Sequence, residues 1–141
     1  MDPKVTLLLP DTSVWHRNKH PAVAPLWVEH LRGNRLAITE ITKLEYLYSA
    51  RSGIEYDALA LELDALQHIP TTAAAVRRAL EVQASLAHRA GLHHRLAIRD
   101  LLIAAVAELA GATVWHYDSD YDRIAEVTGQ PVEWIAPRGS L

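Results

Sequence analysis

The sequence predicts an α/β protein of three layers, α/β/α, with a mostly parallel central sheet covered by helices on both faces. Short apolar runs alternate with longer segments whose apolar residues recur at helical spacing. The first of those runs is continuously apolar, as in a strand buried on both faces. Size is the third observation. The chain has 141 residues, half of them hydrophobic and 22% charged. That is the balance of one folded domain, residues 1–141, able to bury roughly two-thirds of its unfolded surface.

The elements follow in order. Val5 to Pro10 is a buried strand, stopped by the polar Asp11-Thr12-Ser13. Ser13 or Thr12 can cap a short helix through Trp15 and His16. Pro21 to Leu31 places Val23, Leu26, Trp27 and Leu31 on one helical face, and Gly33-Asn34 ends it. Arg35 to Ile38 is a second strand. From Thr39 the period changes, with Ile41, Leu44, Leu47 and Tyr48 on one face until Ser52-Gly53 interrupts. Tyr56 to Leu66 is a further helix, and Gln67 to Pro70 a connector or short strand. Thr71 or Thr72 caps a long helix to about Ala90, with Val76, Leu80, Ala84 and Ala87 in line and Gly91 as its stop. Leu92 to Arg99 reads as a loop rich in His and Arg. Asp100 to Ala110 is apolar nearly all round, so this helix is expected to be buried on several sides. Gly111 ends it. Thr113 to Tyr117 is a strand, Asp118-Ser119-Asp120 caps a helix from Tyr121 to Val127, and Gly129-Gln130-Pro131 turns into a last strand, Val132 to Ile135.

Ligands of open parallel sheets sit outside the carboxyl ends of the strands. Asp11 follows the first strand. Asp118 follows the Thr113 strand, with Asp120 two residues on. Asp100 opens the buried helix that feeds that strand, and Glu45 lies inside the helix after the second strand. These acids can converge on one edge. Clustered carboxylates raise one another's pKa unless cations compensate. With no cysteine in the chain, an oxygen-only donor set selects hard ions such as Mg²⁺ or Mn²⁺. Two such ions can serve phosphodiester cleavage without a protein nucleophile. Each acid also has a plainer use. Asp11, Asp118 and Asp120 can be helix caps, Asp100 can answer a helix dipole, and Glu45 can close a capping box with Thr42.

Other classes fit less well. A haloacid-dehalogenase type phosphatase needs Asp-x-Asp, and Ser13 stands at the second acidic position. A response-regulator receiver needs an acidic pair before its phosphoacceptor. Zinc on His88, His93 and His94 lacks metalloprotease spacing. A net charge of −3 disfavours nucleic-acid binding by bulk charge alone. Neutralising four of those acids with two divalent ions leaves the chain near +1. No targeting segment or membrane span is expected: Val5 to Pro10 and the longer run Leu101 to Ala107 are both too short. The chain therefore reads as cytoplasmic.

At the acids the sequence resembles PIN-domain proteins, and more narrowly the VapC-type toxin ribonucleases of type II toxin–antitoxin pairs. Leu9-Pro10-Asp11-Thr12-Ser13-Val14-Trp15 resembles the first motif of that family. Ile38 to Tyr46 resembles the second, centred on Glu45 rather than Glu40. Arg99-Asp100-Leu101-Leu102-Ile103-Ala104-Ala105 resembles the third. Val114 to Tyr121 resembles the fourth, with Asp118 the usual acid and Asp120 a possible fifth. Tyr121 stands where the family often has Phe and reads as a ring swap. The resemblance implies a Mg²⁺- or Mn²⁺-dependent endoribonuclease acting on structured RNA such as tRNA or rRNA. Asp11, Glu45, Asp100 and Asp118 would form the catalytic pocket, with Asp11, Asp100, Asp118 and Asp120 available to metal. Ser13 or Thr12 would bond a ligand or a carboxylate. A homodimer and a VapB-like antitoxin are the implied partners. The alternative is a non-catalytic PIN-fold module that binds RNA or protein.

Around the acids, Arg17, Lys19, His20, Arg95 and Arg99 can meet phosphate or pair with acids. Arg77-Arg78 reads as a solvent face. His116 can assist catalysis or simply pack. Trp15, Trp27, Trp115 and Trp134 read as core or interface anchors, and Tyr46 to Tyr48 as core or partner surface.

Overall fold

The computed structural model describes residues 6–89 and 93–141. The strands are β1 (Leu8–Pro10), β2 (Ala37–Ile38), β3 (Gln67–His68), β4 (Thr113–His116) and β5 (Val132–Trp134). The helices are α1 (Thr12–Trp15), α2 (Ala24–Arg32), α3 (Glu40–Tyr48), α4 (Gly53–Leu63), α5 (Ala73–His88), α6 (Ile98–Ala110) and α7 (Asp120–Thr128). The strands pair in the order β1-β4-β5 and β2-β3, and every pairing is parallel. A parallel bridge between Leu8 and Leu36 joins β2 to β1. The sheet thus runs β3-β2-β1-β4-β5.

The strand period of two sorts the core into layers. Leu9, Ala37, Ile69 and Val114 point to one face, where they meet Ala75, Ala79, Val82 and Leu86 of α5, Leu101 to Ala107 of α6, and Tyr121 and Ile124 of α7. Leu8, Leu36 and Trp115 point to the other, against Val14, Val23, Trp27 and Leu31. Ile38 packs beside them on Trp15 and Leu63. This is the expected α/β/α arrangement.

Several boundaries and faces differ from the sequence reading. The first strand begins at Leu8, with Thr6 and Leu7 outside it, and Val5 lies outside the described residues. α2 starts at Ala24 rather than Pro21, and Leu26 faces solvent. α4 starts at Gly53, earlier than Tyr56, because Ser52 caps it by accepting from the Glu55 N–H at 3.1 Å. Thr72 caps α5 in the same way through Ala75. That helix ends at His88, while Ala90 and the Gly91 stop lie outside the described residues. Its buried face is Ala75, Ala79, Val82 and Leu86, not the line through Val76, Leu80, Ala84 and Ala87. The small Ala75 and Ala79 let α5 approach α6, and the larger Val76 and Leu80 are left outside. Arg78 is no free solvent cation either: it donates to Glu108 at 2.6 Å and ties α5 to α6. α6 begins two residues before Asp100, so Ile98 and Arg99 are helical and Asp100 lies in the first turn.

Candidate active site

Each acid is placed by the element that ends or begins beside it. Asp11 leaves β1 with its N–H donating to the Trp115 carbonyl at 3.0 Å, which continues the β1–β4 ladder by one step. It then caps α1, its Oδ1 accepting from the Val14 N–H at 3.3 Å. Asp11 is therefore the cap, rather than Thr12 or Ser13. The Ser13 hydroxyl donates to the same Oδ1 and accepts from the Tyr117 N–H at 3.0 Å. With both directions of its hydrogen bonding used, Ser13 orients a carboxylate and joins the ends of β1 and β4. Thr12 is 7% exposed, and its hydroxyl has no partner among the described residues.

Asp118 follows β4 and its Oδ1 accepts from the Asp120 N–H at 2.9 Å, closing the start of α7. Asp100 projects from the first turn of α6 and is 2% exposed. Its Oδ1 accepts from the Tyr121 hydroxyl at 3.1 Å, while Oδ2 is buried without a partner among the described residues. Ligand atoms of Asp100, Asp118 and Asp120 lie within 4.8 Å of one another. Asp11 stands outside that triplet but close to it, since the Tyr121 hydroxyl faces its carboxylate as well as that of Asp100. Glu45 also stands outside the triplet. Its Oε2 is 3.7 Å from Arg99, whose Nε lies 3.7 Å from Asp100. The other oxygen of Glu45 is buried with no partner among the described residues. The capping box of Thr42 and Glu45 does not form, because Thr42 lies inside α3, its hydroxyl without a partner among the described residues.

Burial dominates the electrostatics. It lifts Asp11 to about 6, against the hydrogen bonds from Ser13 and Val14. It lifts Asp100 to about 7, with the charge of Asp11 adding to the rise. Asp120 is raised by its own burial and by Asp118. Two mutually repelling carboxylates, a third acid beside them and unpaired buried oxygens form a site short of positive charge. The donor set is all oxygen, so it fits a hard divalent cation.

The basic residues divide. Arg99 is half-exposed, 3.7 Å from both Glu45 and Asp100. Arg17 donates to the Ser13 carbonyl at 3.0 Å and lies 4.7 Å over the Tyr117 ring, so it is held at the edge of the pocket. Lys19, His20 and Arg95 are exposed. His116 is packed in the core: burial lowers it to about 4, so it is neutral at pH 7. Its Nδ1 accepts from the Asp118 N–H at 3.2 Å and its ring lies against Tyr121 and Trp134. Tyr121 is the functional residue the sequence reading missed. It is more than a ring swap, because its hydroxyl holds Asp100. Its place one residue after Asp120, on the face of α7 that turns inward, was the available signal.

A buried cluster of acids at the carboxyl ends of β1 and β4 in an α/β/α sheet defines a class. Residues 8–127 match the family model for the PIN domain, and the chain belongs to that family. More particularly, it is similar to ribonuclease VapC18 of Mycobacterium tuberculosis, with 55% identity over 132 residues, 93% of this chain and 96% of that protein. Among solved structures, VapBC-5 of Mycobacterium tuberculosis, a member of the VapBC family of toxin-antitoxin systems, has 26% identity and a TM-score of 0.57, covering 92% of this chain and 97% of that one. The fold is also that of DNA-bound VapBC from Salmonella typhimurium, at a TM-score of 0.74 and 19% identity over 93% of this chain and 99% of that one.

Proposed function

We propose that the protein is a metal-dependent endoribonuclease, the toxin of a toxin–antitoxin pair, which hydrolyses phosphodiester bonds of structured RNA such as tRNA or rRNA. The observation that carries the reading is the buried acidic cluster with its unpaired oxygens. The similarity to a ribonuclease over nearly the whole chain supports it. Asp11, Asp100, Asp118 and Asp120 would hold the cation, Mg²⁺ or Mn²⁺. Bound there, it supplies Lewis-acid stabilisation of the charge that gathers on the phosphate. Ser13 and the Val14 N–H orient Asp11, and Tyr121 orients Asp100. Glu45, beside Arg99 at the edge of the pocket, adds a further carboxylate there. Arg99 and Arg17 bring positive charge to the rim, where the phosphate backbone arrives.

The solved VapBC neighbours support an antitoxin of VapB type as the partner. A homodimer belongs to the same reading. No helix among the described residues is long and apolar enough to cross a membrane.

The decisive experiment incubates purified protein with total RNA and sequences the new ends. Cutting is expected with Mg²⁺ or Mn²⁺ and not in EDTA. Asp11→Ala and Asp100→Ala are each expected to abolish it. Undiminished cutting by both variants would sink the assignment.

A further inference from the structure

We propose that the groove between α1 and α3, beside the acids, seats one nucleoside of the RNA substrate. Tyr48 is its stacking platform, and Thr12 with Glu45 reads the ribose 2′-hydroxyl. The proposal rests on the ribonuclease reading above and states how that site tells RNA from DNA.

The groove is lined by Thr12, His16, Leu44, Glu45, Tyr48 and Ser49 and encloses about 430 Å³. That volume suits a small organic ligand. It adjoins the acidic pocket through two of its own residues. Thr12 follows Asp11 directly, and Glu45 reaches Asp100 through Arg99. A strand whose phosphate lies at the acids therefore carries a neighbouring nucleoside over this groove.

The lining has two unlike parts. One is polar and unfinished: the Thr12 hydroxyl and one Glu45 oxygen are buried with no partner among the described residues. Buried polar atoms are normally satisfied, so an unpaired donor and acceptor on two residues that line one groove call for a ligand that offers both. A 2′-hydroxyl is both donor and acceptor, and it is what distinguishes RNA from DNA. It would donate to Glu45 and accept from Thr12. The other part is apolar and open. Tyr48 is 90% exposed and Leu44 is 69% exposed, four residues apart on one face of α3. Nucleobases stack on such rings without regard to sequence. A protein partner would cover Leu44 and Tyr48 equally well; the groove's place beside the acids, where the phosphate arrives, favours the nucleoside.

The test measures binding of a fluorescein-labelled single-stranded RNA, and of DNA of the same sequence, to the whole chain carrying Asp100→Asn. EDTA is present so that the RNA stays intact. Adding Tyr48→Ala is expected to weaken RNA binding about tenfold, and Tyr48→Phe to restore it. Thr12→Val is expected to erase the preference for RNA over DNA. Circular dichroism checks that the fold is kept, which the exposure of Tyr48 favours. RNA binding unchanged by Tyr48→Ala would overturn the proposal. So would a change in sedimentation with RNA affinity intact, since the face would then be a protein interface. Cutting of RNA by Asp100→Asn with Mg²⁺ present would instead overturn the acid assignment, and the binding result in EDTA would still stand on its own.

Discussion

At the residue scale the site is a set of carboxylates that the fold makes costly to ionise. In the unfolded chain Asp11 and Asp100 titrate near 3.8, while burial lifts them to about 6 and about 7 in the fold. Between those values the folded form binds more protons than the unfolded form. The pair's contribution to stability is therefore complete below about pH 4 and lost as pH rises through about 7. Metal-free protein is expected to resist urea less at about pH 8 than at about pH 5, by on the order of a few kcal/mol. Saturating divalent cation is expected to remove most of that difference. A flat profile in EDTA would contradict the electrostatic account. Tyr121 acts in the same place. Tyr121→Phe removes the single strong hydrogen bond to Asp100, whose other oxygen already lacks a partner among the described residues. Urea unfolding of the metal-free variant at neutral pH is expected to show a loss of about 1–3 kcal/mol.

At the scale of elements, local signals located most helices and misjudged one face. Ser52 and Thr72 cap α4 and α5 as their residue types favour. Gly111 closes α6 with φ at 70°, a left-handed conformation that disfavours side chains, and an added Cβ there meets nothing within 4 Å. Gly111→Ala is therefore expected to cost about 1 kcal/mol through backbone strain alone, read as a lower urea midpoint with an unchanged slope. Helix α5 carries apolar residues on two faces. Periodicity cannot rank Val76 and Leu80 against Val82 and Leu86, because both lines repeat at helical spacing. The choice was made by the fit of Ala75 and Ala79 to α6 and α7.

At the scale of the molecule, the rejected face of α5 has a consequence. Val76 is 43% exposed, Leu80 61% and Ile98 70%, and they flank an apolar groove between α5 and α6. This stripe supports the dimer of the proposed function, since aliphatic surface of this kind is costly to leave in water. Sedimentation is expected to show a dimer that Leu80→Glu turns to monomer. The melting of the monomer should stay close to that of the parent, because Leu80 takes no part in the core. A variant that remains dimeric would move the interface elsewhere.

The sequence by itself determined the layers, because buried strands and amphipathic helices have different apolar periods. Through four short motifs in order it also singled out the acids, of which the fold groups Asp100, Asp118 and Asp120. Asp11 and Asp118 were legible because each directly follows an apolar strand, at the carboxyl edge where open parallel sheets bind ligands. What only tertiary structure decided is how those acids are held. Ser13, already bonded to its near neighbour Asp11, reaches the Tyr117 backbone, and Tyr121 bonds Asp100, both across separations of many residues. Arg99 was drawn to Glu45 and Asp100, and His116 was left neutral by burial. Such contacts depend on which side chains the parallel ladder brings to one edge, and no local window of sequence carries that distance.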